Sequence, residues 1–157
     1  MIPLYLVAER GMEQGQVNSL IAVSRMVTLG MGLLAGYAVD RIGTKQAMAV
    51  FLLVTGCLTA LLGLVSDTWI MFVVFLQPMF AVCFFPAGFA VMARIGPADS
   101  RNLAVSLIIP VAFLLGAGAI PAGLGLLGEQ HAFSLGFAIL GGLVLAGSML
   151  VRSLRVS

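Results

Sequence analysis

The chain has 157 residues, 61% of them hydrophobic and 9% charged, whereas a soluble domain carries about 25% charged residues. So little polar material cannot coat a water-facing globule, so the composition excludes a soluble protein and describes an integral membrane one. A net charge of +2, spread over an apolar chain, gives no basis for nucleic-acid binding.

Residues 1 to 8, MIPLYLVA, lack the basic segment and cleavage site of a signal peptide and read as the tail of a helix. Glu9 to Gln16 is polar, contains Gly11 and Gly15, and reads as a loop. The first complete span covers about residues 17–39, where some 22 residues give roughly 33 Å, enough for a hydrocarbon core of about 30 Å. It runs into Gly36-Tyr37-Ala38-Val39-Asp40-Arg41-Ile42-Gly43-Thr44-Lys45, expected as a tight, charged turn. A second span, 46–65, stops at Ser66-Asp67. The third, 68–95, opens on Trp69 as an interfacial anchor and is expected to kink at Pro78 and Pro86. Gly96 to Asn102 is a loop with Asp99 or Ser100 as helix cap, and the fourth span, 102–127, contains Pro110 and Pro121. After the turn at Gly128-Glu129-Gln130-His131, the last span, 132–151, ends at Arg152-Ser153-Leu154-Arg155. The expected fold is all-α: one transmembrane domain over 1–157, with five complete helices and a partial one.

Alternate loops set the orientation. Arg41, Lys45, Arg94, Arg101, Arg152 and Arg155 fall on one side and Arg10 on the other, which by the positive-inside rule places the larger set and the carboxyl terminus in the cytoplasm of a cell (inner or plasma) membrane. Glycine, at 19 residues, exceeds its usual share of about 7%. Small residues repeat every fourth position at Gly32 and Gly36, at Gly56 and Ala60, and at Ala138, Gly142 and Ala146, marking expected packing seams. Cys57 and Cys83 lie in apolar runs and are expected as buried, reduced thiols.

Arg25 lies five residues beyond Leu20, about 8 Å into the first span, where an arginine near the bilayer centre costs about 2.5 to 3.5 kcal/mol on insertion scales. Two readings meet that cost: a cavity-facing anchor for an anionic solute, with Asn18 and Thr28 on the same helix face, or a side chain that snorkels outward. Gln77 beside Pro78 either lines a solute path or satisfies backbone freed by the proline. The second and last spans carry only small polar groups and are expected at the periphery, with Arg25, Gln77 and the prolines turned toward a solute path. His131 has no ligand partner at metal-binding spacing and reads as solvated, and the Met and Phe residues of the third span read as packing.

The order Gly36, three residues, Asp40-Arg41, one residue, Gly43, at the end of one span and the start of the next, resembles the signature loop of the major facilitator superfamily. Thr44 stands where that family more often has a basic residue, and Lys45 supplies the second basic one. Asp99-Ser100-Arg101 is similar to the acid-x-Arg loop between the next pair of helices. The resemblance implies half of a twelve-helix bundle, with a solute site near the midplane between two six-helix halves. The short basic tail and the lack of a long central loop match the carboxy-terminal half, from the end of helix seven through helix twelve.

The resemblance thus implies part of a secondary active transporter that moves a small solute by alternating access, and Arg25 suggests an organic anion. Its expected partners are the lipid bilayer, a small-molecule substrate and the amino-terminal half of the transporter, absent from this sequence because the chain is a fragment or its start is placed too late. Asp40, Arg41, Arg94 and Arg101 would form a state-locking charge cluster, with Asp40 paired to Arg94 or capping a helix of the other half. No span contains His, Asp or Glu, so neither an enzyme nor a metal or cofactor site is expected. The rival reading is a non-transporting membrane assembly protein.

Overall fold

A computed structural model describes residues 1–92 and 98–153, with the backbone alone over 98–104. Its helices are α1 (Ile2–Ala8), α2 (Gln14–Ile42), α3 (Thr44–Leu64), α4 (Asp67–Met92), α5 (Ala98–Phe113), a π-helical stretch (Leu114–Ala119), α6 (Ile120–Glu129) and α7 (Phe133–Ser153). Among the described residues, five helical segments are long and apolar enough to cross a bilayer: Gln14–Ile42, Thr44–Leu64, Asp67–Met92, Val105–Glu129 and Phe133–Ser153. The protein is therefore an all-α, multi-pass membrane chain.

The breaks between helices are shorter than the polar residues suggest. Gln14 to Gln16 forms the first turn of α2 rather than a loop, and Asp40, Arg41 and Ile42 form its last. Only Gly43, at φ 87°, interrupts the backbone before Thr44 starts α3. A side chain there would be strained, so one glycine makes the whole turn. The turn from α6 to α7 has no glycine at its left-handed position. His131 sits at φ 54° while its N–H donates to Gly128 O and Ala132 N–H donates to Leu127 O, the paired bonds of a Schellman motif. In the π-helical stretch Ile120 N–H reaches back to Leu115 O. Pro121 follows at once, without an N–H and with a ring that crowds the carbonyl four residues back, and the wider turn accommodates it.

The bundle is a row of packed pairs: α2 lies on α4, α4 on α3, and α3 on α7, with α6 leaning on α7. One apolar cluster gathers Tyr5, Leu6, Val17, Leu62, Ile70 and Phe137, with others, near the α3–α4 turn. A second, at the Gly43 end, joins Ala35, Val39, Ala47, Phe51, Cys83 and Ala87. Cys83 is buried and Cys57 exposed, both as free thiols, so the expectation of two buried thiols holds for Cys83 alone; Cys57 occupies the outward face of α3.

The closest approach is between α3 and α7. A methyl group added at Gly63 would run into Ser134 O, and one at Gly141 into the backbone of Ala60. At Gly56 it would come 2.9 Å from Leu145 Cγ. The Ser148 hydroxyl crosses the same seam to donate to Ala49 O at 2.8 Å. The seam on α7 therefore passes through Gly141, and Gly142 and Ala146 are exposed, which corrects the expected row. Phe133 and Phe137 decide the register: their rings pack 5.8 and 5.0 Å from the Tyr5 ring, and Gly141 comes one turn further on the same face. Gly36 likewise has open space where a side chain would be, and the contact of α2 with α4 runs through Ala35 and Val39 instead. The helix α3 is held between α4 and α7 rather than lying at the edge. Residues 106–120 are all exposed.

A valine at Gly141 should lower the stability of the detergent-solubilised protein by about 1–3 kcal/mol through overpacking, while a valine at Gly142 should leave it within about 0.5 kcal/mol. Thermal unfolding of the two variants measures the difference, and equal losses would place the seam elsewhere.

Candidate functional site

Midway along α2 the sequence Val23-Ser24-Arg25-Met26 puts two polar side chains into an apolar helix with different fates. Ser24 is buried and its hydroxyl donates to Phe75 O of α4 at 2.9 Å. This neutral bond locks the two helices at mid-depth, where each would otherwise face only hydrocarbon. Arg25, one position on, is exposed and makes no hydrogen bond or ion pair among the described residues. Its helix begins at Gln14, so Arg25 lies about 16 Å along it at 1.5 Å per residue.

Arg25 forms part of the wall of a cavity of about 160 Å³ between three elements. Met1 with Ile2 and Pro3 of α1 covers one side, Ile21 of α2 lies a turn from Arg25, and Pro78 of α4 closes the back. A guanidinium with five donors and no acceptor thus stands uncompensated beside an apolar pocket, an arrangement suited to receiving a carboxylate or another planar anion. A second crevice of about 180 Å³, between the π-helical stretch with α6 and α7, is lined by glycine, alanine, leucine and isoleucine alone. It is the larger of the two but has no group that could orient a solute.

The side of the cavity formed by α1 is held by polar bonds at the helix end. Tyr5, fully buried, donates its hydroxyl proton to Leu62 O at 2.7 Å and accepts from Arg10 Nε at 2.8 Å. Arg10 also donates to Val65 O at 2.9 Å and pairs with Asp67 at 2.7 Å. Glu9 Oε1 accepts the N–H of Phe133 at 2.8 Å and so caps the start of α7. Burial opposes the charge on Arg10, but its bonds to Tyr5 and Asp67 outweigh that cost and raise its pKa above the ordinary arginine value. One short helix is thereby fastened to α3, the start of α4 and α7. Nothing in the sequence of the stub announced this, because, apart from the bond between Tyr5 and Arg10, the partners of Tyr5, Glu9 and Arg10 lie 55 to 124 residues away.

The other sequence candidates do not gather at Arg25. Asn18 is exposed two turns back on α2, and Thr28 uses its hydroxyl proton on Ser24 O at 2.7 Å. Gln77 is turned toward α3, where its amide lies 3.3 Å from the Thr59 hydroxyl. Thr59 in turn donates to Thr55 O, and the Thr55 hydroxyl is buried without a partner among the described residues. The amide therefore ties two helices, and its neighbour Pro78, about 100° around the helix, is the residue that reaches the cavity. At the Gly43 end, Arg41 Nε donates to Tyr37 Oη at 2.9 Å with its guanidinium 5.4 Å from the Tyr37 ring centre. Asp40 is exposed and has no ion pair among the described residues. Arg94 lies outside the described residues, as does the side chain of Arg101, so the expected pairing with Asp40 is not placed.

The sequence profile of one family, the Major Facilitator Superfamily, matches residues 1–156. Comparison with curated proteins and with solved structures gave no match.

Replacing Arg10 by alanine should strip Tyr5, Val65 and Asp67 of a charged donor and lower stability by about 1–3 kcal/mol. Asp67→Asn should cost less than about 1 kcal/mol, since Asp67 is 76% exposed and the pair faces water. Thermal unfolding in detergent distinguishes the two, and equal losses would reduce the fastening to a simple ion pair.

Proposed function

Since the chain belongs to the Major Facilitator Superfamily and is a membrane transporter of that kind, we propose that it carries a small organic anion by alternating access, with Arg25 as the anchor. The observation that carries the reading is the unpaired guanidinium of Arg25 on the wall of the cavity between α1, α2 and α4. An arginine at this depth is costly for the bare protein, and an anionic solute offsets that cost by supplying the missing countercharge. Asn18 and Thr28, on the same face of α2, would meet the solute as it moves along the helix, and Gln77 would hold α4 against α3 as the walls rock.

In this reading the described helices work against a second set, which would cover residues 106–120 and the open face at Gly36. Asp40 would then make its partner across that boundary, with Arg94 or a helix end of the other half, and with Arg41, Gly43 and Lys45 would form a latch that opens and closes with the bundle. Arg41, Lys45 and Arg152 sit at helix ends away from Arg10 and Asp67. The excess of cations at that end supports a cytoplasmic placement for it and for the carboxyl terminus.

The test is uptake of a panel of labelled organic anions into liposomes carrying the protein. Arg25→Gln should lower uptake of the transported anion at least about tenfold, the size expected for losing a charged hydrogen bond, while Arg25→Lys retains part of it. Unchanged uptake by Arg25→Gln would remove Arg25 from the solute path.

A further inference from the structure

One buried hydroxyl at mid-depth is left over from the packing of α3 on α4. A threonine inside a helix can give its proton to the carbonyl four residues back, and Thr28 and Thr59 do so, to Ser24 O and Thr55 O. The Thr55 hydroxyl makes no such bond and is buried without a partner among the described residues. Within a bilayer no water stands by to satisfy it. Thr55 lies one turn before Thr59 on the same face of α3, and Thr59 accepts the Gln77 amide of α4 at 3.3 Å, beyond the usual range of about 2.7–3.2 Å. Counted from the α3–α4 turn, Thr55 stands nine residues in from Leu64 and Gln77 ten residues in from Asp67, so the unpaired hydroxyl is at the depth of Gln77 itself. We infer that Thr55 is a second seat for the Gln77 amide, and that the amide exchanges between the Thr59 and Thr55 hydroxyls as α4 bends against α3.

The chemistry of the three side chains and the proline beside them permits the exchange. The seats are four residues apart on α3, about 6 Å at 1.5 Å per residue. An amide carries both donors and an acceptor, so at Thr55 the Gln77 carbonyl takes the orphaned proton, while Thr59 keeps its own bond to Thr55 O in either position. The first seat leaves the Thr55 hydroxyl unpaired and the second releases the amide N–H from Thr59, so neither holds the amide as a trap. Pro78, next to Gln77 inside α4, has no N–H to give to Val74 O, and the helix bends most readily where its ladder is interrupted. Beyond that point Cys83 is buried, its thiol donating to Met79 O at 3.1 Å and lying 3.7 Å from Met31 O of α2. A bend that carries the amide to Thr55 shifts this part of α4 along α2 and uncovers Cys83. The inference gives the alternating access proposed above a moving part, but its test uses no solute, so the failure of either leaves the other standing.

The experiment is the rate at which N-ethylmaleimide modifies Cys83 in the detergent-solubilised full chain, with the exposed Cys57 replaced by serine. Thr55→Val removes the second seat with little change of shape and should slow modification at least about threefold, the size expected for one modest hydrogen bond. Thr59→Val removes the first seat and should speed modification by a similar factor. Thr55→Ser keeps the hydroxyl and should keep the parent rate, and in a Gln77→Leu background the two valine variants should label alike. Thermal unfolding checks that each variant is folded, and Thr55→Val should unfold no earlier than the parent, because it removes an unpaired donor. A fixed tie between Gln77 and Thr59 predicts no change of the Cys83 rate in Thr55→Val. That result, or a Thr59→Val rate no faster than the parent's, would overturn the inference, as would Thr55→Ser slowed as much as Thr55→Val, which traces the effect to packing.

Discussion

In a bilayer two apolar helices gain little by exchanging lipid for each other, so association has to come from close approach and from shared polar groups. The contact of α3 with α7 follows from that constraint. Glycines at 56, 63 and 141 let the backbones approach, and Ser148 adds one hydrogen bond across the seam to Ala49 O. The contact of α2 with α4 uses the same means in smaller measure, through Ser24 and Phe75 O with Ala35 and Ala87. Since α4 also packs on α3, these two seams fix where Ser24, and therefore Arg25, stands relative to Pro78.

The two arginines of the Asp67 half of the bundle meet opposite surroundings. Arg10, 18% exposed, directs donors from all three of its nitrogens to Tyr5, Val65 and Asp67. Arg25 is exposed and has no such partner among the described residues. Tight pairing makes the first a fastener, and the second keeps its full capacity to bind an anion.

Much of this could be read from the sequence. Apolar runs of bilayer length mark the spans, and the Gly36 to Gly43 segment carries the family resemblance that the profile over residues 1–156 bears out. What the sequence did not disclose turns on single-residue register or on distant partners. Gly141 and Gly142 are neighbours with the same local credentials, and only the seating of Phe133 and Phe137 on Tyr5 selects the first. Gln77 and Pro78 are likewise adjacent, and the orientation of α4 sends the amide to Thr59 and the ring to the cavity. The π-helical stretch escaped notice because its composition, LLGAGA, is ordinary for a lipid-facing helix.

The fastening of α1 also bears on how the chain is made. Tyr5 can reach Leu62 O, and Arg10 can reach Asp67, as soon as the α3–α4 turn has been synthesised, 57 residues later in each case. Glu9 must wait for Phe133, 124 residues downstream, a delay of about 6 to 25 s at 5–20 residues per second. The helix α1 is thus fully secured only after α7 has begun to emerge, and its docking marks a nascent chain that has extended past Phe133.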